Sequence, residues 1–500
     1  MHVDNDRKQI GFGAILSYIS IGLNALYGLA IAPFILGVLG EDNYGVYQSI
    51  ASLSATIAVL DVGVSSTVQR YVAVFVAKNE KTNKIENYVG MAAIQSSVIA
   101  GLILLVGGII ISILPSLYVT FSESQIVQAK WLLFVLVLNL VLHTFENVFQ
   151  GAISGHNDFL FVNSSRIISL IVRIAAILIL LPIFPNALVI AIIMCTIEAI
   201  LIIVEGMYLK RKYGICPKVH KWEGLLFKES LIYTLIVFLQ SLIAQIDNNL
   251  DNVVIGAEMG AKYVTVYSFG LSIYAMFTQL SVAISGVMLP TVAKRIENKA
   301  TYSELENLVI RIGKIQFILL GAALSGFIVL GKEFINLWLG TGFEDVYGIT
   351  LVLMTPTIFE LSQNVSLSIL RAENKISVRL KALGIGAFIN LLITVFGVRR
   401  YGYFAACFGT AMSVTIGSLV LMNIYYYKQY KFNPIRIYGS IMGKTLLCLL
   451  PAMICTYVIK TTVFSVTDWG RFLLIILCFM LVYCTFLLTI VKPQRIIRMN

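Results

Sequence analysis

Apolar stretches of twenty or more residues recur along the whole chain, each closed by a short polar segment. A bilayer core about 30 Å thick takes roughly 20 apolar residues per helical crossing, so the pattern predicts about fourteen spans. Their limits are 11–37, 44–68, 88–114, 128–150, 160–181 and 187–209, then 229–255, 263–290, 307–331, 346–370, 377–397 and 402–427. A last pair lies at 438–460 and 469–491. Unpaired backbone groups in lipid are costly, which restricts spanning structure to helices or a closed barrel. Barrel strands would be about half this length and would alternate polar with apolar residues; these segments do not. The predicted fold class is an all-α integral membrane bundle.

Internal similarity refines that bundle. A shift of 220 lays Gly40 on Gly260, Tyr47 on Tyr267, Ser65 on Ser285 and Val72-Ala73 on Val292-Ala293. A shift of 217 lays Asn147-Val148 on Asn364-Val365 and Asn157 on Asn374. Matched residues fall at matched topological positions, which predicts a duplicated six-span lobe. Six is even, so the copies run parallel, a transporter architecture. The expected division is 1–228, 229–430 and a terminal span pair in 431–500.

Composition agrees: 58% hydrophobic and 13% charged residues exclude a water-soluble globule. Loop charge predicts orientation. With Met1 cytoplasmic, the inner segments 1–10, 69–88, 151–160, 209–228, 291–306, 371–381, 428–438 and 492–500 carry 25 Lys and Arg. The outer segments carry 5. Both termini are therefore expected in the cytoplasm, and the net charge of +11 reads as positive-inside rather than as a nucleic-acid surface. No cleavage site follows the first apolar run, which reads as a retained helix.

Several chemistries are disfavoured. Every predicted outer loop is short, which argues against an enzyme working on the outer face. No Gly-rich phosphate loop with Lys and Ser/Thr is present, so no ATPase is expected. The seven cysteines lie almost all inside spans and show no metal spacing with the four histidines. They read as small buried hydrophobes, and neither a metal nor a cofactor is expected.

Ionisable groups within spans usually face an interior cavity or a partner. Asn139, His143, Glu146 and Gln150 step by 4, 3 and 4 along one face of span four. Arg166 and Arg173 share a face of span five, and Glu198 and Glu205 share one of span six. Gln240, Asp247 and Asp251 step by 7 and 4 in span seven, with Asn248 beside them. Span nine carries Arg311 and Lys314; span ten carries Glu360, Gln363 and Asn364 after Pro356. Arg173 lies about 20 Å into its span at 1.5 Å per residue, near the membrane centre. Either it pairs with Glu198, or it forms a cationic cavity wall for a phosphate. Arg311 and Lys314 either snorkel to the interface or join that wall. Asp247 and Asp251 are candidates for a coupling cation or proton, with hydrogen-bonded structural roles the alternative. The span-four stripe is expected to line a wet cavity. Tyr425, Tyr426, Tyr427 and Trp469 read as interfacial aromatics.

The segments GVLGEDNYGVYQ (37–48) and LDVGVSSTVQRYVA (60–73), with QGAISGHNDF (150–159), resemble bacterial polysaccharide flippases. These belong to the multidrug/oligosaccharidyl-lipid/polysaccharide exporter superfamily, which also holds drug exporters and lipid II flippases. The resemblance implies two six-helix lobes around a polar cavity that rock between inward- and outward-open states. It implies a cargo of polyprenyl-diphosphate-linked oligosaccharide turned to the outer leaflet of the bacterial inner membrane, for O-antigen, capsule or exopolysaccharide. Implied partners are membrane lipids, a polysaccharide polymerase and a chain-length regulator. Asp61 and Arg70 match the family's Asp-x-Gly…Arg-Tyr pattern and so take helix-end and gate positions. The lipid II branch carries charges on its first helix, where this chain offers Ser17, Ser20 and Asn24; an exported repeat unit fits better. The rivals are a multidrug exporter, which generally has twelve spans, and a membrane polysaccharide polymerase, which should carry a long outer loop.

Overall fold

The computed structural model describes residues 2–285, 292, 295–298, 300–373, 375–462 and 465–491, with backbone alone for 2–21, 24–26, 236, 239–241, 243–248 and 282–285. The described residues form helices without a strand. Ten of the helices are long and apolar enough to cross a membrane. The chain divides into two compact units, Met1–Thr265 and Val266–Asn500.

In the first unit, α1 (His2–Ile57) breaks at Gly40, whose φ of 76° only glycine adopts readily. The sequence places a loop between its first two spans here. The next feature differs from expectation. Span 44–68 is not continuous: α1 ends at Ile57, a 3₁₀ turn covers Ala58–Asp61, and α2 (Val64–Ala77) restarts after Gly63 at φ 106°. A single charged residue, Asp61, interrupts the apolar run here, too little for hydropathy to reveal a break. Helices α3 (Thr82–Leu117), α4 (Glu123–Gly155), α5 (Phe159–Ile183), α6 (Ala187–Tyr213) and α7 (Gly224–Glu258) follow. Ser122 and Gln125 form a capping box at the start of α4.

Glycine brings α2 against α4. A Cβ on Gly151 would lie 2.6 Å from the Ser65 carbonyl oxygen, and one on Gly155 would lie 2.6 Å from the Val72 Cβ. The glycines of QGAISGHNDF are thus packing residues that let two helix backbones meet, a device common in membranes. Helix α7 joins this unit through polar contacts: Thr67 meets Thr234 at 3.0 Å, Gln95 donates to Thr234 at 3.1 Å, and Asn252 donates to Ser52 at 2.9 Å.

Helix α8 (Ala261–Ser285) begins at the end of the first unit. The second unit continues with α9 (Tyr302–Leu339), α10 (Asp345–Ser362), α11 (Val365–Ala372), α12 (Ile376–Tyr401) and α13 (Tyr403–Tyr430). Span 346–370 is also interrupted, by a turn at Gln363-Asn364 between α10 and α11. A π-helical stretch, Val414–Leu421, lies inside α13. Small residues again allow close approach: a Cβ on Gly386 would sit 2.7 Å from the Ser413 carbonyl, and one on Gly417 2.8 Å from that of Ala382. The final helices, α14 (Pro434–Thr462) and α15 (Trp469–Val491), pack onto α9. Lys460 pairs with Glu333 at 2.6 Å there.

Candidate functional site

The break in span two sets the site. Ending the 3₁₀ turn at Asp61 turns a carboxylate, 3% exposed, toward α4. Its Oδ2 accepts from His143 Nδ1 at 2.9 Å and from Asn147 Nδ2 at 2.6 Å; its Oδ1 has no partner. Along the same face of α4, Gln150 donates to Glu146 at 2.8 Å and accepts from Arg166 of α5 at 2.6 Å. Glu205 of α6 adjoins Glu146 and accepts from Ser165 at 3.4 Å. Glu198, one face of α6 further along, is 6% exposed with Oε1 unpartnered. His143 itself is half exposed, so the stripe has an open side.

These contacts bring the span-four stripe, Arg166, Glu198 and Asp61 into one polar cluster drawn from the turn, α4, α5 and α6. Asn139 is buried with its Nδ2 unpartnered. Arg173 stands two turns beyond Arg166, about 10 Å along α5, with its Nε enclosed and unpartnered. Glu198 is within its electrostatic reach, but no ion pair closes between them within 4 Å among the described residues. The pairing alternative for Arg173 is therefore not what the structure adopts. Arg70 is exposed and stacks on Tyr233 of α7, 4.5 Å from the ring centroid. It does not meet Asp61, and its contact is a brace between α2 and α7.

The remaining candidates fall elsewhere. Glu360 lies on α10 and pairs with Arg379 of α12 at 2.9 Å. Asn364 lies in the turn after α10. Beside it, Gln363 donates to Asn423 at 3.0 Å and accepts from Tyr438 at 3.1 Å. Arg311 is engaged within the protein, whereas Lys314 makes no ion pair among the described residues and faces Lys444. Asp251 is buried and has a partner of its own. Asn24, Gln240 and Asp247 lie outside the residues whose side chains are described.

One buried centre escaped the sequence reading. Asp158 caps α5 by accepting from the Phe161 amide at 3.4 Å. Its other oxygen accepts from Tyr208 at 2.6 Å, Lys212 and Tyr213 at 2.9 Å, all from the end of α6. Phe161 stacks on Tyr208 at 3.6 Å, closing the junction of α4, α5 and α6. Burial alone would raise the Asp158 pKa. The Lys212 ammonium and the two phenols outweigh burial and hold the carboxyl below its ordinary value. Donors fifty residues away in sequence left no local signal.

The profile of the family described as "Polysaccharide biosynthesis protein" matches residues 10–295. A Shigella flexneri protein assigned as an O-antigen transporter is 22% identical over 420 residues, covering 80% of this chain and 96% of that protein. A Haloferax volcanii protein assigned as the flippase AglR is 22% identical over 174 residues, 34% of this chain and 36% of that one. Among solved structures, the lipid II flippase MurJ in an inward closed conformation superposes with a TM-score of 0.74 at 15% identity, covering 97% of this chain and 99% of its own. An inward-facing MATE family multidrug transporter follows at 0.68 and 14%, over 81% and 95%. At such identities the structures establish a shared fold, and the family match covers more than half of the chain. This multi-pass membrane chain belongs to the polysaccharide biosynthesis protein family.

Proposed function

We propose that the chain carries a polyprenyl-diphosphate-linked oligosaccharide from the cytoplasmic to the outer leaflet of a bacterial plasma membrane, by alternating access. Both termini are then cytoplasmic, and the product feeds assembly of a surface polysaccharide. The observation that carries this reading is Arg173: a guanidinium near the centre of α5 whose Nε is enclosed and unpartnered. A permanent cation at that depth is costly unless an anion meets it. A diphosphate presents paired acceptor oxygens that suit the donor fork of arginine.

The neighbouring residues match the rest of such a cargo. Gln150, Glu146, Asn139 and His143 offer donors and acceptors to sugar hydroxyls. The polyprenyl tail needs no protein cavity, because it is stable in lipid. The names of the O-antigen transporter and the flippase AglR point the same way.

Deleting the gene and identifying the stranded glycan by mass spectrometry tests the reading. Complete lipid-linked repeat units should accumulate on the cytoplasmic face. Single units accumulating outside would indicate a polymerase instead. Drug sensitivity with an intact surface glycan would indicate an exporter.

A further inference from the structure

We propose that the first unit binds a divalent transition-metal cation on His143, Glu146 and Glu198. One ligand atom from each residue lies within 4.8 Å of the other two. His143 and Glu146 are three residues apart on α4 and share a face, while Glu198 approaches from α6. In a tetrahedral site with bonds near 2.1 Å, neighbouring ligand atoms stand roughly 3.4 Å apart. One imidazole nitrogen and two carboxylate oxygens suit Zn²⁺, Co²⁺ or Mn²⁺ better than an alkali cation.

Two independent features point to a ligand rather than to a solvated acidic cluster. Glu198 is 6% exposed, yet its Oε1 has no hydrogen-bond partner among the described residues. A carboxylate oxygen buried without a donor is costly, and a coordinated cation removes that cost. The second feature is the support behind the imidazole. Asp61 Oδ2 lies 2.9 Å from His143 Nδ1 and is itself held by Asn147 at 2.6 Å. With Nδ1–H donating to Asp61, Nε2 presents its lone pair, the arrangement of a carboxylate that orients a metal-binding histidine. His143 is 47% exposed, which leaves a route of entry. Two glutamates against a dication give a neutral core, as a membrane interior requires.

This inference goes beyond the flipping reading, and its test needs no cargo. The full-length chain, purified in detergent through an affinity tag without histidine and stripped with a chelator, is titrated with Co²⁺ and read by visible d–d absorption. Wild type should bind one equivalent, displaced by Zn²⁺. Glu198→Gln and His143→Ala should each lose the band or weaken binding at least tenfold. Asp61→Asn should weaken binding about 10–100-fold while keeping the stoichiometry, as loss of an orienting partner does. Absence of a band for wild type at millimolar Co²⁺ overturns the proposal whatever the variants do. So does equal binding by Glu198→Gln, His143→Ala and wild type. A protein that flips its cargo but binds no Co²⁺ would refute this site and leave the transport reading intact.

Discussion

Two charged residues of the first unit behave oppositely because their partners differ. Arg173 has an enclosed Nε without a hydrogen-bond partner among the described residues, an open donor that a ligand can meet. Asp158 is saturated by Lys212, Tyr208 and Tyr213 and holds the ends of α4, α5 and α6 together. Asp158→Asn should therefore lower stability by roughly 1–3 kcal/mol near neutral pH, the usual worth of hydrogen bonds to a charged group. The sign of its pH dependence follows from the lowered pKa. The unfolded carboxyl titrates near 3.9, so the stabilisation is complete above that value and is lost as pH falls through the lower folded value. Thermal unfolding of both proteins in detergent checks this: the gap between them should narrow from neutral pH toward about pH 3. A gap of constant size would mean that the carboxylate charge contributes nothing.

At the scale of helices, glycines place the site. Gly63 starts α2 at φ 106°, and a Cβ there would meet the Val237 Cβ at 3.0 Å. Gly63→Ala should cost about 1–3 kcal/mol from backbone strain alone and displace Asp61 from His143. Gly151→Ala should destabilise by a similar 1–3 kcal/mol, because its methyl would press on the α2 backbone. Gly108→Ala, on α3 with nothing within 4 Å of its Cβ, should leave the melting temperature unchanged or slightly raised. Melting curves followed by size-exclusion fluorescence separate the three; equal behaviour of Gly108→Ala and Gly151→Ala would remove the close-packing account of α2 and α4. The elements themselves were largely legible: the loop at Gly40, the long apolar helices and the polar face of α4 all follow from periodicity. The breaks at 58–63 and 363–364 were not: Asp61 and Gln363-Asn364 read as polar positions inside the continuous spans 44–68 and 346–370. Nor were the Glu360–Arg379 pair and the Asp158 centre, which depend on which helices become neighbours.

For the molecule as a whole, the all-helical fold and the family were readable from span length and three short motifs. The cluster around Asp61 was readable only in pieces, because its members arrive from a turn and three helices, with Asp61 itself 82 residues from His143. What unites them functionally is the proposal that α5 offers an unpaired cation to a diphosphate in mid-membrane. Proteoliposomes containing a polyprenyl-diphosphate oligosaccharide test it most directly, with a membrane-impermeant oxidant reporting how fast inner-leaflet sugar becomes accessible outside. Removing one charge-assisted contact of roughly 1.5–3 kcal/mol predicts that Arg173→Ala slows exposure about 10–100-fold at an unchanged melting temperature. Exposure by Arg173→Ala at the wild-type rate would contradict the account.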